Sequence, residues 1–402
     1  MKKNSEAYKL NYSNVLEFIY RNKETSRIEI ANDTGLTPAT ITHIVSEMIE
    51  NNLLVETGDE VRGGKGSGRN RKLLKLNEEF AYFLGIEINM KGLFFMLTNL
   101  VGESLVTSSI LITEFSTRDI NQVITDEIKK IIHSLSEKNI IGIGIAVPGH
   151  YDSEEKTIIT NNKKWEYFNL KEIEKNISIP FKVENNIECM ALSEYLFEAS
   201  SSPDNFLFFH IGHGLFCSFF DAKRLEIKKN YYIGEIGHTV VNIEGPVCEC
   251  GKKGCLQTYI SDSWLLKNAR FLFDHSNNTT LKSLVTNPDE IQLSTIIDGY
   301  ILGDSFLTNQ IDLGLIFLGT SVANTLILHD AKKIYINSEL LNVPQFQQTF
   351  ITFIRDQLSF IPTKTDLEIE IIPYHFYRGA RGAAALAALS FFIKHPNFSI
   401  EN

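Results

Sequence analysis

The sequence predicts an α/β chain in which a small winged helix-turn-helix domain precedes a larger body. Three observations predict it. Residues 11–54 carry three short amphipathic segments separated by capping signals. From Tyr82 onward, short apolar runs alternate with helix-length stretches, the pattern of a layered α/β body. Between Glu235 and Cys255, one histidine and three cysteines gather in a chain that has five cysteines in all. At 402 residues there is room for two or three domains, and 43% apolar content supplies their cores.

Val15, Leu16, Ile19 and Tyr20 have the spacing of one apolar helix face. Ser26-Arg27-Ile28-Glu29 fits a capping box that starts a second helix, and Gly35 ends it. Thr37-Pro38 restarts the chain as an N-cap with proline at the first helical position. In this third helix Ile41, Ile44, Val45 and Met48 face inward, which leaves Ala39, Thr40, Thr42 and His43 outward. Helix, tight turn, helix is the unit whose second helix enters the major groove with its N-terminal residues at base edges. Thr37, Ala39, Thr40, Thr42 and His43 are therefore the candidate DNA contacts.

Leu53–Glu56 and Arg71–Leu76 pair as a hairpin around Gly63, Gly64, Gly66 and Gly68. That loop and its returning strand carry Arg62, Lys65, Arg69, Arg71, Lys72 and Lys75, with no acid between Val61 and Asn77. A basic, glycine-rich wing beside a helix-turn-helix suits phosphate or minor-groove contact, better than a solvated linker would explain it. Arg62, Lys65, Arg69 and Arg71 join the DNA-binding set. The net charge of −10 argues against non-specific nucleic-acid binding by the whole surface but leaves room for a local basic patch.

Strand candidates in the body are Phe83–Ile88, Leu93–Thr98, Ser109–Ile112, Ile140–Val147, Phe181–Val183, Phe206–Ile211 and Lys333–Ile336. His238, Cys248, Cys250 and Cys255 match a closed tetrahedral zinc site, with Gly251 and Gly254 letting the chain turn tightly around the ion. The alternative is a glycine-rich turn with free thiols, but four ligands of the right type are present and none is left over. Cys189 and Cys217 read as ordinary buried residues. The N-terminal MKKNSEAYKL has no apolar run behind its lysines, and no stretch is expected to reach the length of a membrane span. Few cysteines and no export signal point to the reducing cytoplasm, where clustered thiolates mean metal before disulfide.

Glu235-x-Gly237-His238 followed by Cys248-x-Cys250-Gly251-x-x-Gly254-Cys255 resembles the signature of the ROK family (repressors, open reading frames and sugar kinases). One position departs, Gln257 standing for the family's glutamate. Gly68-Arg69 and Leu73–Asn77 also resemble the N-terminal segment of ROK regulators, which ROK kinases lack. The resemblance implies a winged helix-turn-helix at residues 1–78 and a two-lobed, actin-like sugar-kinase body with a cleft between its lobes. The first lobe is expected at 79–195, with a C-terminal helix at 378–394 packing back on it, and the second at 196–377 with the zinc.

Kinases of this type read Asp-x-Gly-Gly-Thr in the first hairpin, where small residues admit the ATP phosphates. Here the run is Gly85-Ile86-Glu87-Ile88-Asn89-Met90-Lys91. The second phosphate loop, His210–Phe216, keeps Gly212 and Gly214 but adds Leu215 and Phe216, and the Gly-Gly pair expected after the last strand is Asn337-Ser338. Where the kinases place an Asn-Asp pair, with the aspartate as general base, this chain reads Asn185-Asn186. An amide takes no proton at neutral pH, so Asn186 hydrogen-bonds a hydroxyl without activating it. No catalytic residue is expected.

The resemblance places sugar contacts at Gly149, Asn161, Trp165, Asn185, Asn186, Glu235, His238 and Gln257, with Asn162 beside them. Polar groups that donate and accept, beside an aromatic ring, suit a carbohydrate. The two acid-to-amide changes, at Asn186 and Gln257, are expected to admit an anionic ligand such as a sugar phosphate. The expected protein is a sugar-responsive regulator that represses carbohydrate-utilisation genes. It binds a double-stranded DNA operator as a homodimer or homotetramer, with a sugar or sugar phosphate as effector and no membrane partner. The alternative is a bifunctional regulator with residual ATP-dependent sugar kinase activity.

Overall fold

The computed structural model describes residues 5–61, 71–134, 138–160, 162–198, 202–224, 234–361 and 367–394. The chain divides into two compact units, Met1–Ser202 with Phe376–Asn402, and Pro203–His375.

The first unit opens with helix α1 (Glu6–Asn22), whose Val15, Leu16, Ile19 and Tyr20 are buried as their spacing predicts. A two-residue strand β1 (Glu24–Thr25) leads to α2 (Arg27–Thr34). The Ser26/Glu29 capping box is formed, and Gly35 closes the helix at φ +67°, a left-handed conformation suited to glycine. Thr37 caps α3 (Pro38–Glu50), and Ile41, Ile44, Val45 and Met48 are fully buried beneath it. Strands β2 (Leu54–Val61) and β3 (Arg71–Leu76) pair antiparallel, and β1 adds to the outer side of β3.

A five-stranded sheet follows. It is built from β4 (Tyr82–Asn89), β5 (Gly92–Thr98), β6 (Ser104–Leu111), β7 (Ile140–Val147) and, further along, a parallel strand at Phe181–Asn185 that lies beside β7. Helix α4 (Ile120–Ser134) lays Ile120, Ile124, Ile128 and Ile131 on one face of this sheet. Beyond β7 come a small hairpin, β8 (His150–Asp152) with β9 (Thr157–Ile159), and a short helix α5 (Leu170–Glu174). The parallel strand Phe181–Asn185 is β10, and it runs directly into α6 (Asn186–Phe197).

The second unit is a four-stranded sheet wrapped in helices. Its elements in order are β11 (Asn205–Ile211), β12 (Leu215–Asp221), α7 (Gln257–Ile260), α8 (Asp262–His275), α9 (Leu281–Leu284), α10 (Leu293–Ile301), α11 (Ser305–Leu328), β13 (Lys333–Ser338), α12 (Pro344–Leu358) and β14 (Glu368–Ile372). The sheet order is β12-β11-β13-β14. Helix α11 overturns one expectation, because by length and composition alone it is apolar enough to cross a membrane. Its Ile311, Leu315, Leu318 and Val322 lie in the core of this unit, which accounts for the apolar run. Asn337 and Ser338, expected in a loop after the last strand, are buried within β13, and β14 follows them.

The chain then returns to the first unit as α13 (Arg378–Ala388), continued by a π turn at Leu389–Ile393. This helix covers the face of the sheet opposite α4. A Cβ at Gly85 would lie 1.8 Å from Ala380 O, and one at Gly144 would lie 1.8 Å from Ala383 O. Glycine in the two central strands is thus what lets the helix backbone rest on the sheet. Arg378 pairs with Glu194 of α6, and Arg381 with Glu198 at 2.6 Å, so α13 and α6 are joined by two ion pairs.

The winged helix is fastened to this assembly by α1. Ser13 Oγ donates to Ile393 O at 2.7 Å, and Arg21 Nη2 donates to Ser202 O at 3.1 Å. The Tyr195 hydroxyl of α6 donates to Glu17 at 2.7 Å, with the Arg21 guanidinium 4.4 Å from the centre of the Tyr195 ring.

Candidate functional site

The outer face of α3 is the first candidate. Thr37, Pro38, Ala39, Thr42 and His43 are exposed, and Thr40 is half-buried. Thr37 Oγ1 accepts the Thr40 N–H at 3.3 Å and lies 2.9 Å from Thr40 Oγ1, while Thr42 Oγ1 donates to Pro38 O at 2.8 Å. The hydroxyls stay tied to the first helical turn, and the exposed His43 ring lies 5.9 Å from the Tyr8 ring of α1. Tyr8 braces the helix from α1, donating its hydroxyl to Glu47 at 2.5 Å.

Among the described residues of the wing, Lys72 and Lys75 lie beside acids. Lys72 is matched at 2.6 Å by Glu56 on the facing strand, and Glu56 also lies 3.5 Å from Arg27. The hydrogen bond from Lys72 holds the Glu56 carboxyl below its ordinary range. Lys75 lies 3.7 Å from Glu78. Arg71 stands at the start of β3, and Arg62, Lys65 and Arg69 lie outside the described residues.

The second candidate lies where β10 becomes α6. Asn185 caps the helix, its Oδ1 accepting the Ile187 N–H at 2.8 Å while its Nδ2 donates to Gly149 O at 2.5 Å. The side chain expected to meet a ligand is therefore committed to holding the turn after β7 against the start of α6. Asn186 donates through Nδ2 to Glu87 Oε1 at 3.3 Å and to Ile88 O at 3.1 Å. Asn162 Nδ2 lies 2.9 Å from Met90 Sδ, and its Oδ1 caps a 3-10 turn by accepting the Lys164 N–H at 3.0 Å. Trp165 is fully buried among core residues of this unit, bracing the region from within instead of forming an open wall. Asn161 lies outside the described residues.

Glu87 was absent from the sequence-derived set. It is 3% exposed, and burial pushes its carboxyl up to about 7 against the lowering effect of hydrogen bonds from Asn89, Asn186 and the Gly379 N–H. The signal that points to it is an acid in an otherwise apolar strand, since an unpaired acid is rarely interior.

The third candidate lies in the second unit. The ligand atoms of His238, Cys248, Cys250 and Cys255 fall within 4.8 Å of one another. Cys248 Sγ is 3.6 Å from His238 Nδ1, and Cys250 Sγ is 3.6 Å from Cys255 Sγ. A tetrahedral ion with bonds of about 2.3 Å to sulfur separates its ligands by roughly 3.8 Å, so the donor set and its spacing suit a tetrahedrally bound cation. Burial is the largest effect raising the Cys255 thiol, and its neighbouring thiols add to it. A cation would reverse that by favouring the thiolates.

Gln257 is 5% exposed and donates through Nε2 to Glu249 at 2.9 Å, with Cys248 Sγ at 3.5 Å. A carboxylate there would repel both partners, whereas an amide supports the cluster from behind. The amides of Gln257 and Asn186 are thus both engaged with the protein. Glu235 is half-buried at the start of the 3-10 turn Ile236–His238.

Bulky groups crowd the hairpin between β11 and β12. A Cβ at Gly212 would meet the His210 ring at 2.8 Å, and one at Gly214 would meet the Phe216 ring at 2.9 Å. Asn337 Nδ2 lies 2.8 Å from His210 Nδ1.

The chain is similar to known proteins along most of its length. The chain is similar to the xylose repressor of Caldicellulosiruptor bescii, at 28% identity over 89% of this chain and 90% of that one. Its fold matches the crystal structure of a ROK family transcriptional regulator, a homolog of the E. coli MLC protein. That match has a TM-score of 0.74 and 25% identity, and covers 96% of this chain and 95% of the other. A ROK family glucokinase from Streptomyces griseus, solved with glucose and AMPPNP, matches at a TM-score of 0.63 and 21% identity. It covers only 76% of this chain, though 99% of its own. Residues 83–389 match the sequence profile of the ROK family, and the chain belongs to that family.

Proposed function

We propose that this chain is a sugar-responsive transcriptional regulator that represses carbohydrate-utilisation genes. Residues 1–78 read a double-stranded operator. Residues 79–195 with 378–394, and residues 196–377, are the two lobes of a body that binds a sugar or sugar derivative without phosphorylating it. The observation that carries this reading is the Asn186 amide, bonded to Glu87 and Ile88 where the kinases keep their base, in the same compact unit as the winged helix. Neither hydrogen-bonded Asn186 nor buried Glu87 is placed to take a proton from an open sugar hydroxyl. The rings of His210 and Phe216 crowd the backbone on which a phosphate loop depends.

His238, Cys248, Cys250 and Cys255 hold a structural zinc ion, which closes the loop around them and needs no open coordination position. The chain acts in the cytoplasm as at least a homodimer, because an operator with two half-sites is matched by two copies. The effector shifts the population away from the DNA-competent state by binding the other state more tightly.

The test is a fluorescence-anisotropy titration of the gene's own upstream DNA at fixed salt. It is repeated with D-xylose, D-glucose, N-acetylglucosamine and their phosphates, alongside a coupled ATPase assay. Specific binding released by one sugar, with a silent ATPase, supports the reading. Sugar-dependent ATP turnover would support the bifunctional alternative instead.

A further inference from the structure

Glu87 stands between Ile86 and Ile88 in β4, and among the described residues its hydrogen-bond partners are donors: Asn186 Nδ2, the Asn89 side chain and the Gly379 N–H at the start of α13. The helix presses so close that a Cβ at Gly379 would lie 2.1 Å from Glu87 Cδ. The other acceptor of Asn186 Nδ2 is Ile88 O. Both amide hydrogens are therefore spent. Turning the amide over would set its oxygen against a carboxylate and a carbonyl, so the hydrogen-bond network admits one orientation.

That orientation has a consequence at the other end of the amide. Asn186 Oδ1 is buried and finds no donor among the described residues, although Asn186 as a whole is only half-buried. A buried acceptor without a donor is destabilising until one reaches it.

We propose that Glu87 is a positioning residue for effector recognition: it locks the Asn186 amide so that Oδ1 presents a lone acceptor, which selects a ligand hydroxyl as donor and rejects a phosphate or carboxylate oxygen there. The proposal rests on the effector reading above. An ionised phosphate or carboxylate oxygen offers lone pairs only, and so does Oδ1. The Glu87 carboxyl behind the amide adds repulsion whenever it is ionised. The chemistry at this position is that of a neutral carbohydrate hydroxyl, and the amide that replaces the kinase base does not create a phosphate seat.

The test uses the full chain, labelled upstream DNA, and single-position deoxy and deoxyfluoro derivatives of whichever of D-xylose, D-glucose or N-acetylglucosamine releases the DNA. Fluorine accepts weakly and cannot donate. At one hydroxyl position the deoxy and deoxyfluoro sugars should both bind about tenfold more weakly than the parent, the loss of one hydrogen bond. Glu87→Gln, which sets an NH2 group among donors, should cut that preference to below roughly threefold while the deoxy sugar keeps its affinity. A merely structural role for Glu87 would weaken parent and deoxy sugar alike, and that result overturns the proposal. So does a deoxyfluoro sugar that binds as well as the parent, a comparison made on the unmodified chain and independent of the variant's folding. If no sugar alters DNA binding by the unmodified chain, the effector reading itself fails and this inference falls with it.

Discussion

Tyr195 of α6 donates its hydroxyl to Glu17 of α1 at 2.7 Å, with Arg21 stacked over the same ring. Helix α6 begins at Asn186, so one 12-residue helix runs from the proposed effector seat to Tyr195 and its contact with α1, the helix that supports the DNA-reading domain. Packed connections of this kind carry energetic coupling between two sites. Tyr195→Phe should cost about 1–2 kcal/mol of stability, the range for one partly buried hydrogen bond. It should leave DNA affinity without sugar nearly unchanged and weaken sugar-driven release. Chemical unfolding and anisotropy titrations check the two parts separately.

The metal cluster makes a different prediction. The unmodified chain should carry one zinc per copy, measured by metal analysis, and Cys248→Ser should carry none. Because Cys248 also receives the Gln257 amide, the variant should lose stability chiefly in the second unit. Hydrogen exchange should show faster opening around residues 236–260, with α1–α3 protected as before. Acidification should release the ion, since protons compete for the thiolates.

The DNA-reading surface separates into two kinds of contact. Arg69→Ala should weaken binding to all sequences and lower the slope of log affinity against log salt by about 1, as expected for one lost phosphate contact. Thr42→Val and His43→Ala, on the exposed face of α3, should instead change which base pairs are preferred and leave the slope unaltered. Affinities for a small set of operator variants at three salt concentrations distinguish the two patterns.

Glu87 carries a pH signature. Its carboxyl is raised from an ordinary 4.5 to about 7, chiefly by burial, so the folded chain binds a proton that the unfolded chain has released between those values. The stabilisation is therefore full below about pH 4.5 and is lost as pH rises through about 7, with a total on the order of a few kcal/mol. Urea unfolding between pH 5 and 8 should show stability falling with pH, and Glu87→Gln should flatten that slope.

Much of the molecule was legible in the sequence because local chemistry and tertiary context agree there. The Ser26/Glu29 box, the Gly35 stop and the Thr37-Pro38 start all form as their residue types dictate. The strands with strong apolar runs were found, Ser109–Ile112 caught only the end of β6, and β1, β8, β9, β12 and β14 were missed. β1 has two residues and β8 and β9 three each, and β12 follows a tight glycine hairpin that reads as loop.

The candidate site was only half legible. The cysteine cluster declares itself by spacing. The fate of an amide does not, because it depends on partners far along the chain. Asn185 faces Gly149, Asn186 faces Glu87, and Gln257 reaches Cys248, and none of these pairings has a sequence period. Trp165 shows the same limit, since composition cannot tell a ring that lines a pocket from one that fills a core. Within the wing, the pairing of Lys72 with Glu56 depends on the register of the two facing strands, which the residue types alone do not set.

The most direct test of the central claim is release of operator DNA from the Asn186→Ala chain by the effector sugar, with thermal unfolding to confirm that the variant is folded. The account predicts DNA affinity within about threefold of the unmodified chain at the same salt, and an effector requirement raised tenfold or more, as expected for loss of a buried polar contact. Release of the variant at the same sugar concentration as the unmodified chain would contradict it, and would place the effector seat away from the start of α6.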